Sequence, residues 1–187
     1  MLASASPRRL SLLRQIGIEP DLVEAAEVDE DALKDETPRQ LAIRLAGRKA
    51  EVVAIRHGDS YVLAADTVVA VGRRVLPKAE DAGQVRACLA VLSGRAHRVL
   101  TGLSLIAPDG RQARRLSETR LHFKRLSASE IEAYAACGEG LGKAGGYGVQ
   151  GRAGRFVMAL QGSYSGVVGL PLYETANLLA GLGYPAP

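Results

Sequence analysis

An aspartate inside an apolar, β-branched run is the first residue that calls for chemistry. The stretch YVLAADTVVAV, residues 61–71, reads as one buried strand. An unpaired carboxylate in such a strand costs several kcal/mol, so Asp66 needs a cation or a metal beside it. A second signal is SASPRR. Ser6 takes an N-cap position, Pro7 the first helical position, and Arg8 and Arg9 place positive charge in the first turn. That charge opposes the helix dipole unless an anion docks on the free N–H groups and the two guanidinium forks; the plain alternative is a surface helix with solvated arginines. The acidic residues Asp29, Glu30 and Asp31 suit a solvated loop. Together with a buried Asp66 they also suit a divalent ion such as Mg²⁺, which uses one or two carboxylates plus substrate phosphates and waters. Lys49 lies in a helical pattern and Lys78 in a loop after a strand, places where lysine is ordinarily a surface residue. The most glycine-dense segment, GEGLGKAGGYGVQGRAG, carries Lys143 and Gln150. It is either a flexible surface loop or a backbone that must approach a ligand closely.

The elements that position these residues follow from caps and periodicity. Residues 1–5 read as the end of a short first strand, followed by a helix from Pro7 to the stop at Gly17. Thr37-Pro38 opens a second helix reaching about Arg56. The Asp66 strand ends in a turn near Gly72-Arg73-Arg74, and a third helix covers roughly 79–92. AHRVLTGLSLIAP and QARRLSETRLHFKRL read as two long strands around PDGR. Ser127 with Glu130 is a capping-box pattern for a fourth helix ending near Gly138. A strand RFVMALQG and a helix after Pro171 complete the chain. Helices alternating with strands, interrupted by a hairpin, predict an α/β domain over 1–187 with a mixed sheet, not a purely parallel doubly wound one.

Composition excludes several classes. The net charge of +4 is modest, and neither a basic stripe with interleaved aromatics nor a reading helix is present, so nucleic acid is not the expected partner. No apolar run approaches the roughly 20 residues that cross a bilayer, and MLASASPRRL has no apolar signal core; a cytoplasmic protein without membrane contact is expected. Cys88 and Cys137 read as reduced core residues. His57, His97 and His122 are scattered and form no zinc signature.

Six ordered blocks, LASASPRR, LAGRKA, AADT, SGRAHRVLTG, GKAGGYGVQG and GSYSGVVGLPLYET, resemble the signatures of Maf-family nucleoside triphosphate pyrophosphatases across almost the whole chain. The resemblance implies a fold similar to inosine triphosphate pyrophosphatases: an elongated mixed β-sheet with flanking helices and two lobes around a central cleft. It implies hydrolysis between the α- and β-phosphates of a nucleoside triphosphate with a divalent metal, Mg²⁺ or Mn²⁺. By position, Asp66 matches the catalytic acid, as general base or metal ligand. Ser6, Arg8 and Arg9 belong to the phosphate-contacting motif, Lys49 and Lys78 match basic residues reaching the same groups, and Lys143 lies in the Gly-rich motif. Asp29 or Glu30 matches the second acidic, metal-binding position. Arg8, Thr67 and Gln150 resemble the branch acting on dTTP and UTP; the 7-methyl-GTP branch has a tryptophan between the Pro and Arg, and SDQ in place of ADT. Uracil and thymine share an imide edge with one donor and two acceptors, which an amide such as Gln150 complements. The alternatives are a 7-methyl-GTP pyrophosphatase and a non-enzymatic nucleotide-binding regulator of septum formation. The resemblance makes a homodimer plausible, although no stretch specifies its interface. The chain departs from the family's usual pattern at Gly142, where Asp is common, and at Ala79, where Pro is common, departures expected to alter loop order and phosphate affinity.

Overall fold

A computed structural model describes residues 1–185. Five strands form one sheet in the order β2-β1-β3-β4-β5: β1 Val62–Val71, β2 Arg74–Leu76, β3 Ala96–Ile106, β4 Gln112–Phe123 and β5 Val157–Gln161. All four ladders are antiparallel. Among the described residues, parallel geometry is limited to isolated bridges from Leu2, outside these five strands, to Val23 and to Leu63. The short β1–β2 hairpin turns on Gly72, whose φ of 61° fits the left-handed first position of a two-residue loop.

The helices are α1 Pro7–Gln15, α2 Pro38–Ala54, α3 Ala82–Leu92, α4 Ala128–Ala136, α5 Tyr164–Val168 and α6 Leu172–Gly181. The expected capping box at Ser127 and Glu130 is formed, and Thr37 with Gln40 forms another. Some boundaries differ for local reasons. Residues 1–5 supply only the bridge at Leu2. The third helix starts at Ala82, not 79, because the Asp81 side chain accepts from Gln84 N–H and caps it there. Residues read as a turn at Arg74 begin β2. Arg155 and Phe156 end a 3₁₀ turn rather than begin the last strand, and the short α5 has no counterpart in the sequence reading. Ser6 is the N-cap of α1, but its hydroxyl makes no capping bond.

The two faces of the sheet are covered differently, and this creates the cleft. On one face, α2 packs Leu41, Ala42 and Leu45 on Val68, Ala70 and Leu100, and Ala50 and Val53 on Val62 and Ala64. On the other face there are two separate cores. One gathers α1 and α6 over Leu63, Ala65, Leu103 and Leu105. The other gathers α3, α4 and the glycine-rich segment over Val69, Val99, Leu121 and Phe123. Between them each central strand changes lobe at a threonine, Thr67 on β1 and Thr101 on β3, partnered directly in the register and joined hydroxyl to hydroxyl at 3.0 Å. The outer edge of β1 is also divided. Leu63 pairs with the N-terminal residues and Val69 with β2, leaving 64–68 with no strand partner on that side among the described residues. No helix among them is long and apolar enough to cross a membrane, and Cys88 and Cys137 are free thiols.

Candidate active site

A cleft of about 320 Å³ opens at this divided edge. Its lining includes Ser6, Arg8, Arg9, Glu30, Lys49, Thr67, Lys78, Lys143 and Gln150. The structure thus brings together residues from six separated segments.

Lys49 organises one wall. It sits four residues after Leu45 and four before Val53, on the buried stripe of α2, and is itself 7 % exposed. From there its ammonium donates to Asp66 Oδ1 at 2.5 Å and to Glu30 Oε1 at 2.5 Å. The other Glu30 oxygen accepts from Lys78. Burial of Glu30 opposes its ionisation, but the hydrogen bonds from Lys49 and Lys78 outweigh that and hold its carboxyl at about 2. α2 can lie this close because the residue opposite Asp66 in the register is Gly102. A Cβ there would come within 2.2 Å of the Ala42 carbonyl oxygen.

Asp66, the residue matched to the catalytic acid, does not face the cleft. Side chains alternate along a strand, so Thr67 points between the two lobes and Asp66 points under α2. Asp66 is 2 % exposed and does not line the cleft; Lys49 stands between them. Nor does Asp29 line it. Its carboxylate accepts from the Asp31 N–H at 2.9 Å, a local turn bond, which leaves Glu30 as the acid presented to the cleft.

Opposite, α1 contributes the arginines. Arg9 is fixed by three bonds: Nε to the Gly169 carbonyl at 2.8 Å, and its two terminal nitrogens to Ser4 Oγ at 3.1 Å and Thr67 Oγ1 at 3.3 Å. Burial lowers its pKa against the raising effect of Asp66. Arg8 has one long contact, Nε to the Val168 carbonyl at 3.4 Å, leaving the rest of its fork to the cleft. Lys143 donates to the Glu139 carbonyl, and burial, then the nearby Arg8, lower its pKa. Ser4, Thr101 and Gly169 take part in this network without having been singled out in the sequence. The signal for Ser4 is its place two residues before Ser6, whose N–H it accepts at 3.2 Å. That for Thr101 is a hydroxyl in the apolar stretch of residues 99–103.

The two departures, Ala79 and Gly142, meet in space. Gly142 N–H donates to the Ala79 carbonyl at 2.8 Å and Ala79 N–H to the Lys143 carbonyl at 3.2 Å. The loops carrying Lys78 and Lys143 are therefore stitched together by backbone, with Gly142 at a φ of 66°.

Among the described residues, no three His, Cys, Asp or Glu side chains cluster as a metal-ligand set. Two carboxylates joined through one ammonium nevertheless fit an ion such as Mg²⁺, whose remaining positions are filled by phosphates and water.

The cleft groups five cationic side chains, one acid, Glu30, and an amide, Gln150. The Maf-like protein family matches residues 1–182. A dTTP/UTP pyrophosphatase of Caulobacter vibrioides is 65 % identical over 98 % of this chain and 95 % of its own length. One of Paramagnetospirillum magneticum is 62 % identical over 98 % of this chain and 97 % of its own. A solved dITP/XTP pyrophosphatase from Mycobacterium abscessus overlaps 68 % of this chain and 74 % of its own at 20 % identity and a TM-score of 0.42. With the family matched over residues 1–182, and with relatives at 62–65 % identity covered to 95 % or more of their own length, the chain belongs to the Maf family.

Proposed function

We infer that this protein hydrolyses dTTP and UTP to the nucleoside monophosphate and pyrophosphate. The observation that carries the reading is a single cleft in which five cationic side chains, Arg8, Arg9, Lys49, Lys78 and Lys143, converge with an acid, Glu30, at one end and an amide, Gln150, along the glycine-rich wall. The relatives' shared activity supplies the nucleotide.

In this reading the lysines change partners. Lys49 and Lys78 neutralise Glu30 and Asp66 in the resting protein. Triphosphate oxygens compete for the same ammoniums, and each ammonium drawn to a phosphate frees a carboxylate oxygen. Asp66 then serves as the carboxylate that takes a proton from the attacking water, while the lysines and Arg8 stabilise charge building on the phosphoryl oxygens. Arg9, bound on three sides, holds the floor of the phosphate site and the α5–α6 connection at Gly169. Glu30 and Asp66 are the residues that would hold a divalent ion, Mg²⁺ or Mn²⁺, whose chemistry is to neutralise phosphate charge and acidify bound water. Thr67 and Gln150 are the groups for the nucleoside, Gln150 reading the imide edge.

The test is pyrophosphate release from a panel of dTTP, UTP, CTP and 7-methyl-GTP with each divalent cation and with chelator. Preferred turnover of dTTP and UTP is expected. Preference for the methylated purine overturns the substrate assignment, and nucleotide binding without pyrophosphate release overturns the enzymatic one.

A further inference from the structure

The glycine-rich wall rests on a buried aromatic group that the phosphate chemistry does not use. The chain contains six Tyr, two Phe and no Trp. Four of these eight, Phe123, Tyr134, Tyr147 and Phe156, pack edge to face beneath this wall, with ring centroids 4.9–6.1 Å apart. His97 completes the group, edge-on to Phe123 at 4.8 Å and to Tyr147 at 5.6 Å. His97 comes from β3, in the SGRAHRVLTG block; Tyr147 comes from the GKAGGYGVQG block and is among the residues lining the cleft.

Two hydrogen bonds fasten the loop to this group. His97 Nε2 and the Tyr147 hydroxyl share one at 2.8 Å, both residues being under 5 % exposed. One residue on, Gly148 N–H donates to the Tyr134 hydroxyl at 3.1 Å. Gly148 lies between the two functional side chains of the loop: a Cβ there would sit 3.1 Å from Lys143 Cε and 3.3 Å from Gln150 Nε2. The backbone that presents Gln150 is thus pinned from below at consecutive residues. The other His97 nitrogen, Nδ1, is buried with no hydrogen-bond partner. A polar ring buried in a core carries a cost, and the side-chain hydrogen bond that His97 makes runs to the wall of the cleft. Burial keeps the ring neutral, lowering its pKa to about 4.

We propose that His97 is a positioning residue for nucleobase selection, acting through its hydrogen bond to Tyr147 to hold the loop that carries Gln150. The inference rests on the reading of Gln150 as the group that meets the base, and it assigns no direct contact between His97 and substrate.

The test compares the parent with His97→Phe, His97→Gln, Tyr147→Phe and the double variant His97→Phe/Tyr147→Phe. Equilibrium binding of UTP, dTTP, CTP and inorganic tripolyphosphate is measured by calorimetry without divalent metal, and melting temperature is checked in parallel. His97→Phe keeps an aromatic ring and loses the bond; Tyr147→Phe loses only the hydroxyl and keeps the packing. Each is expected to reduce discrimination of UTP over CTP by about tenfold, the scale of one net hydrogen bond, with tripolyphosphate affinity unchanged. The double variant is expected to discriminate no worse than either single one, because both remove the same bond. His97→Gln, which retains a polar group near Nε2, is expected to recover part of the discrimination. Unchanged discrimination in Tyr147→Phe, additive losses in the double variant, or parallel loss of tripolyphosphate affinity overturns the proposal. Because binding is read without turnover, a parent that binds UTP selectively but releases no pyrophosphate refutes the enzymatic reading and still tests this one.

Discussion

The two walls of the cleft are built on opposite principles. The α2 wall is a chain of charges, Asp66–Lys49–Glu30–Lys78, in which every member is held by another member. The glycine-rich wall has no such chain: Lys143 bonds to a backbone carbonyl, and the loop is fixed by two tyrosine hydroxyls on an aromatic bed. A wall of ion pairs opens to a ligand only by exchanging partners, since its cations and anions already satisfy one another. A wall of packed rings keeps its shape whether or not a ligand is present. The first suits phosphate and metal, which arrive with charge of their own; the second suits a base, which is neutral and must be read by shape and hydrogen bonds.

The sharpest way to break the comparison is to remove charge from the first wall. Asp66→Asn should lower kcat/KM for dTTP and UTP by about 10²–10⁴-fold, the usual contribution of a positioned acid–base group, while leaving Lys49 its bond to Glu30 and the fold intact. Pyrophosphate release and a melting curve check both halves. Lys49→Met should do more harm to the fold. It strands Asp66 beneath α2 without a partner, and breaking a buried pair from one side costs about 3–5 kcal/mol. Urea denaturation should place it below Asp66→Asn in stability; equal stability of the two would mean that Lys49 is not what compensates the carboxylate.

Acid should also separate the walls. The folded pKa of His97, about 4, lies below its ordinary 6.5. The unfolded chain therefore takes up that proton first, so this stability is fully present above pH 6.5 and is lost as pH falls toward 4. The shift corresponds to at most about 3 kcal/mol. Glu30, held at about 2 against an ordinary 4.5, gives up its contribution only at lower pH, as pH falls from 4.5 to 2. Between pH 6.5 and 4.5 the melting midpoint of the parent should thus decline more steeply than that of His97→Gln, a difference read directly by scanning at several pH values. The smallest effect belongs to Gln150→Ala. It should cost about tenfold in preference for UTP over CTP and little in tripolyphosphate binding, as expected for an exposed amide that reads a base. Equal losses on all triphosphates would place Gln150 with the phosphate groups instead.

Much of this architecture was legible from local rules. The helix stop at Gly17, the Ser127 capping box and the long β3–β4 hairpin each follow from a residue whose backbone or side chain has few alternatives. Lys49 was read as an ordinary surface position of a helix, although its spacing from Leu45 and Val53 puts it on the apolar stripe of α2, a lysine where a core residue belongs. Strand alternation puts Asp66 and Thr67 on opposite faces, but which of them meets the cleft depends on what covers each face. β2 and α5 were missed because three and five residues are too short to show a period. The bond between His97 and Tyr147, fifty residues apart, leaves no trace in either segment's local pattern.

The sequence by itself determined that a carboxylate would be buried in a central strand, that arginines would stand at the head of a helix, and that glycine would dominate one loop, because these are properties of residue type and spacing along one chain. Only the tertiary structure decided that Asp66 lies behind Lys49 and that Glu30, not Asp29, enters the cleft. It alone placed that cleft where the outer edge of β1 runs out of partners. These are contacts between distant segments, and their geometry is set by how two cores and one close-lying helix share a single sheet.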